Sequence, residues 1–156
     1  MPGFMDNFTF GGAKVDFTGK ATATEHFLGA VFADGDQIKT AVTAAKGLDF
    51  GSNEGYYKDY AAIRIQRMDK FSDANLENVE ITIYDSADNK SFAAACKLII
   101  PKDKLNLANR TPYLLHVPSG IRRYVAMSVK FTVASGKTLA TLTDGSFIAQ
   151  MTPSRW

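Results

Sequence analysis

Apolar and polar positions alternate most regularly over residues 122–133. The apolar side chains that take every second position are Val125, Met127, Val129, Phe131 and Val133. Because successive side chains of a β-strand point to opposite faces, this period predicts a strand that buries one face. Turn-forming residues at 118–120 and 134–137 predict where the strand begins and ends.

Shorter alternating or apolar segments recur along the rest of the chain, with turn residues between them. They predict further strands at 61–68, 79–84, 92–100, 113–117, 138–143 and 147–152. The last two are joined by Asp144 and Gly145, a pair that predicts a hairpin turn. Seven or eight short strands without a convincing long helix predict an all-β protein, folded as an antiparallel β-sandwich or barrel.

Residues 36–46 fit two different elements. Their apolar residues have helical spacing, and Gly47 could end a helix there. The β-branched residues in the same stretch favour an extended backbone instead. We expect a strand that continues through Leu48 and Phe50.

Residues 1–35 differ in composition from the rest of the chain. They contain six phenylalanines and six glycines, without a clean helical or strand period. The glycines disfavour a regular element, whereas so many aromatic side chains gain from leaving water. We therefore expect an extended N-terminal arm over residues 1–35 that docks on its own domain, a sister subunit or another protein. A single β-sandwich domain would follow over residues 36–156.

Length and charge narrow the class of protein. A chain of 156 residues has the usual size of one domain. Its 18 basic and 16 acidic residues give a net charge of +2, and the basic residues are scattered, so we expect no nucleic acid as a partner. The sequence shows neither a signal-peptide pattern nor an apolar run of the roughly 20 residues that span a bilayer. We expect a protein made in a cytoplasm, without a membrane partner.

Two short motifs resemble ligand-binding loops but depart from them. Residues 135–138 read Ser-Gly-Lys-Thr, like the end of a phosphate-binding loop, yet Phe131 occupies a position where that loop needs glycine. Residues 34–36 read Asp-Gly-Asp, like the beginning of a calcium loop, but the other oxygen ligands are missing at the required spacing. We expect plain turns at both places.

The residue types that most often carry out chemistry are sparse. Cys96 is the only cysteine, and its apolar surroundings favour a core position over a reactive thiol. His116 lies in a predicted strand and His26 in the predicted arm, where a solvent or interface position is expected, and neither belongs to a zinc pattern. No nucleophile stands near a base in the local sequence. We therefore expect no enzyme activity, no cofactor and no metal site.

Arg122 and Arg123 form the densest basic pair of the chain. One interpretation is structural: the pair opens a strand, with one side chain pointing out and the other near the rim. The other interpretation is functional, because the forked guanidinium suits a salt-bridging anchor to an acidic partner. The residues alone leave both interpretations open.

Several segments resemble the jelly-roll capsid cement, or decoration, proteins of tailed bacteriophages. The similarity covers residues 37–152 and is closest at 115–125, which reads Leu-His-Val-Pro-Ser-Gly-Ile-Arg-Arg-Tyr-Val. In that family a strand ends in a Pro-Gly turn, and a basic residue with an aromatic one opens the next strand. Further matching segments are 41–45, 48–51, 60–66, 79–86, 98–101 and 138–151.

The resemblance implies a two-sheet jelly roll that binds the outer surface of an icosahedral phage head and bridges neighbouring capsid subunits. Its implied partners are the major capsid protein and itself, as a homo-dimer or homo-trimer. Its implied location is the outer capsid surface of the virion, after synthesis in the host cytoplasm. The family lacks the N-terminal portion of this chain or keeps it much shorter. The residues that we expect at the capsid or subunit interface are Phe4, Phe8, Phe10, Phe17, Arg122, Arg123, Tyr124 and Trp156.

Two other functions fit a β-sandwich without a catalytic motif. A carbohydrate- or receptor-binding module would present aromatic side chains on one face. The candidates for such a face are Tyr56, Tyr57, Tyr60, Tyr84 and Tyr113. A tail or head-completion protein of the same class of virus is the second alternative.

Overall fold

The computed structural model of the chain describes residues 9–30, 37–49, 61–106, 112–117 and 120–153. Two antiparallel β-sheets pack face to face, which confirms the predicted all-β sandwich. Two single helical turns, α1 (Val42–Ala45) and α2 (Lys102–Leu105), lie between strands. In chain order the strands are β1 (Val15–Asp16), β2 (His26–Leu28), β3 (Leu48–Asp49), β4 (Ala61–Asp69), β5 (Leu76–Ser86), β6 (Ala93–Pro101), β7 (Tyr113–His116), β8 (Tyr124–Val133) and β9 (Ser146–Pro153).

Strand pairing follows a nested order. Sheet one has the order β1-β9-β4-β7 and sheet two the order β2-β8-β5-β6, with the short β3 paired to the start of β8. The innermost antiparallel pair in the sequence is β5–β6. It is enclosed by β4–β7, which is enclosed by β2–β8 and finally by β1–β9. The chain therefore runs as a folded ribbon, whose turn is the β5–β6 connection and whose two ends meet at β1 and β9.

The core lies between the sheets and is filled by alternate side chains of the strands. In β8, Val125, Met127 and Val129 are fully buried and Phe131 is nearly so, as the alternation predicts. Ala126 and Ser128 on the opposite face are buried as well, so only the second half of the strand alternates between buried and more exposed positions. Val133 is half-buried, because it lies at the end of the strand. Burial of one such side chain contributes about 1.5–3 kcal/mol, so the pattern determines which face of β8 turns inward.

Residues 9–30 pack on their own domain, the first of the three docking surfaces that we considered, but they do so as part of its sheets and not as an extended arm. β1 joins sheet one beside β9, and β2 joins sheet two beside β8, so the segment crosses from one sheet to the other. His26 is also buried here, and its Nε2 lies 2.7 Å from the carbonyl oxygen of Ala21. The domain boundary predicted after residue 35 is not a structural boundary for this segment.

Phe10 and Phe17 fill the core, contrary to the interface role that we expected for them. Both side chains are fully buried. The centroid of the Phe17 ring lies 5.0 Å from that of Phe147 and 5.3 Å from that of Phe131. Aromatic rings at such distances attract each other and are shielded from solvent. Neither phenylalanine is therefore available to a partner in this fold.

The strand expected over residues 36–46 does not form as one element: Lys39 makes an isolated β-bridge to Phe27, and residues 42–45 form the helical turn α1. The helical turn ends at Lys46, whose φ of +61° is left-handed, and β3 begins at Leu48. Gly47 between them approaches β8 so closely that a Cβ atom would lie 2.7 Å from the Cβ of Tyr124. The helical spacing of the apolar residues was the better predictor here.

Residues 138–143 do not form the predicted strand, and Asp144–Gly145 is not a hairpin turn between two strands. Their backbone groups bond instead to the connection between β1 and β2. Gly19 donates its N–H to Leu142 O (2.7 Å), and Thr22 donates to Ala140 O (3.0 Å). Gly145 has a φ of +117° and lies against the ring of Phe71, where a Cβ would overlap that ring.

The Ser-Gly-Lys-Thr segment begins with a tight turn, as we expected. Lys137 donates its N–H to Ala134 O (3.0 Å), and Gly136 supplies a φ of +75°. The Asp-Gly-Asp segment at 34–36 lies outside the described residues.

Candidate interaction surface

The segment that leads into β8 carries the two arginines and is fixed by an apolar anchor. Gly120 has a φ of +82°, which permits the sharp change of direction before the strand. Ile121 follows, is 6% exposed and packs into the core. Arg122 and Arg123 therefore start from a backbone that is already held in place.

Arg122 binds a carboxylate that points toward the core side of sheet two. Its Nε and Nη2 donate to Asp85 Oδ1 at 3.1 and 2.9 Å, and its backbone N–H donates to Asp85 Oδ2 at 2.9 Å. Nη2 also donates to the backbone oxygen of Asp85 at 2.9 Å. Asp85 is buried, so the pair satisfies a carboxylate that would otherwise be costly to remove from water. The hydrogen bonds and charge of Asp85 raise the pKa of Arg122 above its ordinary value.

Arg123 forms a second forked pair, with an exposed carboxylate, in the same segment that leads into β8. Its Nε and Nη2 donate to Asp49 Oδ1 and Oδ2 at 2.7 and 2.9 Å. The guanidinium carbon also lies 4.9 Å from the centroid of the Tyr124 ring, within the range of a cation–π contact. The hydrogen bond to Asp49 raises the pKa of Arg123. Arg123 thus joins β3 to the start of β8.

The turn between β5 and β6 completes this region. The Asp88 carboxylate accepts hydrogen bonds from the N–H groups of Lys90 and Ser91, both at 2.9 Å, and from the Ser86 hydroxyl at 3.0 Å. These donors lower the pKa of Asp88 to about 2, because they stabilise the ionised form. Asn89 has a φ of +60°, and its side-chain oxygen accepts the N–H of Gly47 at 2.7 Å.

We call the resulting surface the arginine corner, formed by residues 46–49, 85–91 and 120–124. Two arginine–aspartate pairs and the Asn89 bond tie these three segments together. The side chains of Arg122 and Arg123 remain 43% and 39% exposed. Since each pair uses Nε and Nη2, the Nη1 group on the far side of each guanidinium takes no part in it. The corner can therefore donate hydrogen bonds to a partner without breaking its internal pairs.

The structure brings together three of the predicted interface residues, Arg122, Arg123 and Tyr124, at the arginine corner. Phe10 and Phe17 lie in the core. Phe4, Phe8 and Trp156 lie outside the described residues, so their interface role stays a prediction.

Sequence reasoning missed the acidic partners of both arginines. The sequence carries a signal for Asp85, because it continues the inward-facing positions of Val79, Ile81 and Ile83. A carboxylate at such a position is costly to bury unless a cation pairs with it. Asp49 shows no such signal, since its pairing depends on how β3 meets β8.

The tyrosine face of the carbohydrate-binding alternative does not form from the tyrosines that the structure describes. Tyr84 points outward from sheet two, donates to Glu25 at 3.0 Å and packs against Phe27 with 5.8 Å between ring centroids. Tyr113 belongs to sheet one and packs against the core. Tyr56, Tyr57 and Tyr60 lie outside the described residues.

No protein-family model matches the chain, and no curated protein sequence does so. Within the ranges given above, no group of three or more histidine, cysteine, aspartate or glutamate side chains could hold a metal ion. A search of the same residues finds no helix long and apolar enough to cross a membrane.

Proposed function

We propose that this chain is a capsid cement protein that binds the outside of an icosahedral phage head and bridges neighbouring major capsid subunits. The observation that carries the proposal is the nested strand pairing. Sheet orders β1-β9-β4-β7 and β2-β8-β5-β6 support our proposal that the sandwich is a jelly roll made of two Greek keys. The sequence resemblance to jelly-roll cement proteins implies the same topology.

The arginine corner supports the proposal, because it lies where that resemblance is closest. The matching segment 115–125 includes Arg122, Arg123 and Tyr124. Both arginines are held by forked pairs before any partner binds. A surface fixed in advance loses less side-chain entropy on association, so modest contacts yield more net affinity.

The chemistry of the corner fits carboxylate or carbonyl groups on a capsid subunit. Each guanidinium offers its Nη1 donors, and the Arg123–Tyr124 stack adds a flat apolar surface. Single contacts of this kind are weak. A protein that bridges two subunits on a symmetric lattice is retained far more strongly, because the second contact forms at a high effective concentration.

Co-sedimentation with empty shells of the virus that encodes the protein tests the proposal. We expect saturable binding at a fixed ratio to the major capsid protein, and tighter retention on intact shells than on isolated capsid subunits. Absence of binding at micromolar protein would contradict it. Saturation at only a few copies per particle would favour a tail or head-completion protein instead.

Two variants separate contact with the shell from support of the fold. Arg123→Ala removes both the exposed donors and the pair with Asp49, whereas Asp49→Ala removes the pair and leaves the arginine. If Arg123 contacts the shell, Arg123→Ala weakens binding by about tenfold and Asp49→Ala changes it little, as is typical of an interface arginine. Equal losses in the two variants would show that the pair only supports the corner. Thermal unfolding of both proteins monitors the fold.

A further inference from the structure

β3 carries the acidic half of the Arg123 pair, although it is a very short strand. Its two residues, Leu48 and Asp49, pair with the start of β8. Such a short ladder supplies few backbone hydrogen bonds. Leu48 anchors the strand in the core, whereas the Asp49 side chain is exposed. The direction in which Asp49 points therefore depends on how the backbone before it is held.

Asn89 holds that backbone from a different part of the fold. It lies in the turn between β5 and β6, and its side-chain oxygen accepts the N–H of Gly47 at 2.7 Å. Gly47 directly precedes β3 and is buried against the start of β8. A buried N–H without an acceptor costs free energy, so β3 is favoured in the position where this bond forms.

The turn itself fixes the direction of the Asn89 side chain. The φ of +60° is left-handed, a conformation that asparagine adopts more readily than most residues. The N–H of Asn89 donates to the hydroxyl of Ser86 at 2.9 Å, and Ser86 is fully buried. The backbone of Asn89 is thus held by β5 while its side chain reaches the start of β3.

We infer that Asn89 is a positioning residue of the arginine corner. It fixes the start of β3, so that Asp49 binds the Arg123 guanidinium at 2.7 and 2.9 Å before a partner arrives. Arg122 does not depend on this route, because its carboxylate, Asp85, belongs to β5. The consequence of Asn89 for partner affinity rests on the proposed function, whereas its effect on Arg123 does not.

Three substitutions in one turn separate the side-chain bond from a general loosening. Asn89→Gly accepts the left-handed backbone but removes the oxygen that binds Gly47. Asn89→Asp keeps a side-chain oxygen at that position and should restore the bond. Ser91→Gly is the matched control, because it adds a glycine to the same turn and keeps the N–H that donates to Asp88.

Hydrogen exchange of the arginine Nε–H groups, followed by NMR, measures the positioning in the purified protein. In Asn89→Gly we expect the Arg123 Nε–H to exchange about fivefold faster than in the wild type, the effect of losing one net hydrogen bond. The Arg122 Nε–H should be unchanged, and Asn89→Asp and Ser91→Gly should resemble the wild type. An unchanged rate at Arg123 in Asn89→Gly, or an equal acceleration at Arg122, would overturn the inference.

Co-sedimentation with shells measures the consequence for a partner. Asn89→Gly should weaken binding by about two- to tenfold, because a long side chain must then be ordered on association. In an Arg123→Ala background the same substitution should cause no further loss. Unchanged binding, or a loss that persists in that background, would overturn a role through Arg123. If the wild-type protein does not bind shells, the proposed function fails, while hydrogen exchange still decides whether Asn89 positions Arg123.

Discussion

At the scale of single residues, one carboxylate on the inner face of a strand organises the arginine corner. Asp85 continues the inward-facing positions of β5, and its burial requires a cation and hydrogen-bond donors. Arg122 supplies both and is thereby fixed. Both arginines of the Arg122–Arg123 pair form ion pairs with carboxylates of their own chain. The functional interpretation, an anchor to an acidic partner, stays a proposal.

The pH dependence of stability tests the role of Asp88. Its folded pKa of about 2 lies below the ordinary value of 3.8, so its contribution to stability is complete above pH 4 and is lost as the pH falls toward 2. Asp88→Asn removes this titration. We expect the free energy of unfolding of the variant to lie below that of the wild type near neutral pH, with the difference shrinking between pH 4 and pH 2. Urea unfolding at a series of pH values measures it, and a difference that stays constant would contradict this role.

At the scale of elements, the sequence predicted the strands whose alternate residues form the core. β4, β5, β6, β7, β8 and β9 all overlap segments with an alternating or apolar pattern. Periodicity predicts these strands because burial of one apolar face contributes the largest favourable free energy to a half-buried strand. The same pattern located Arg122, Arg123 and Tyr124 at the start of β8, although not their partners.

Periodicity fails where long-range backbone bonds decide the conformation. Residues 138–143 have strand-like sequence, but their backbone groups bond to residues 19–22 in an irregular path. Residues 9–30 have no clean period, yet Phe17 joins the core because rings from three other segments surround it. Neither outcome can be derived from local sequence, since each depends on segments more than fifty positions away.

Truncation of one aromatic side chain tests whether the N-terminal segment is part of the core. Phe17→Ala should lower the free energy of unfolding by about 3–5 kcal/mol, the usual cost of removing a buried phenylalanine ring. Phe27→Ala is the control, because Phe27 lies half-buried on the outer face of sheet two and should cost less. Chemical denaturation measures both. A loss below about 1 kcal/mol for Phe17→Ala would mean that residues 9–30 are only loosely attached.

At the scale of the whole molecule, the surface best defined for contact with a partner is the arginine corner. It lies at the start of β8 and is tied together by two arginine–aspartate pairs. A protein that bridges capsid subunits must contact at least two of them. Under the proposed function the arginine corner makes one such contact, and repetition over a symmetric lattice strengthens retention through multivalency.

Electron cryo-microscopy of empty shells incubated with the protein tests the central claim most directly. If the chain is a cement protein, density for the β-sandwich should lie at equivalent lattice positions over the whole outer surface, in contact with neighbouring capsid subunits. Shells that carry no such density, or carry it only at the tail vertex, would contradict the account.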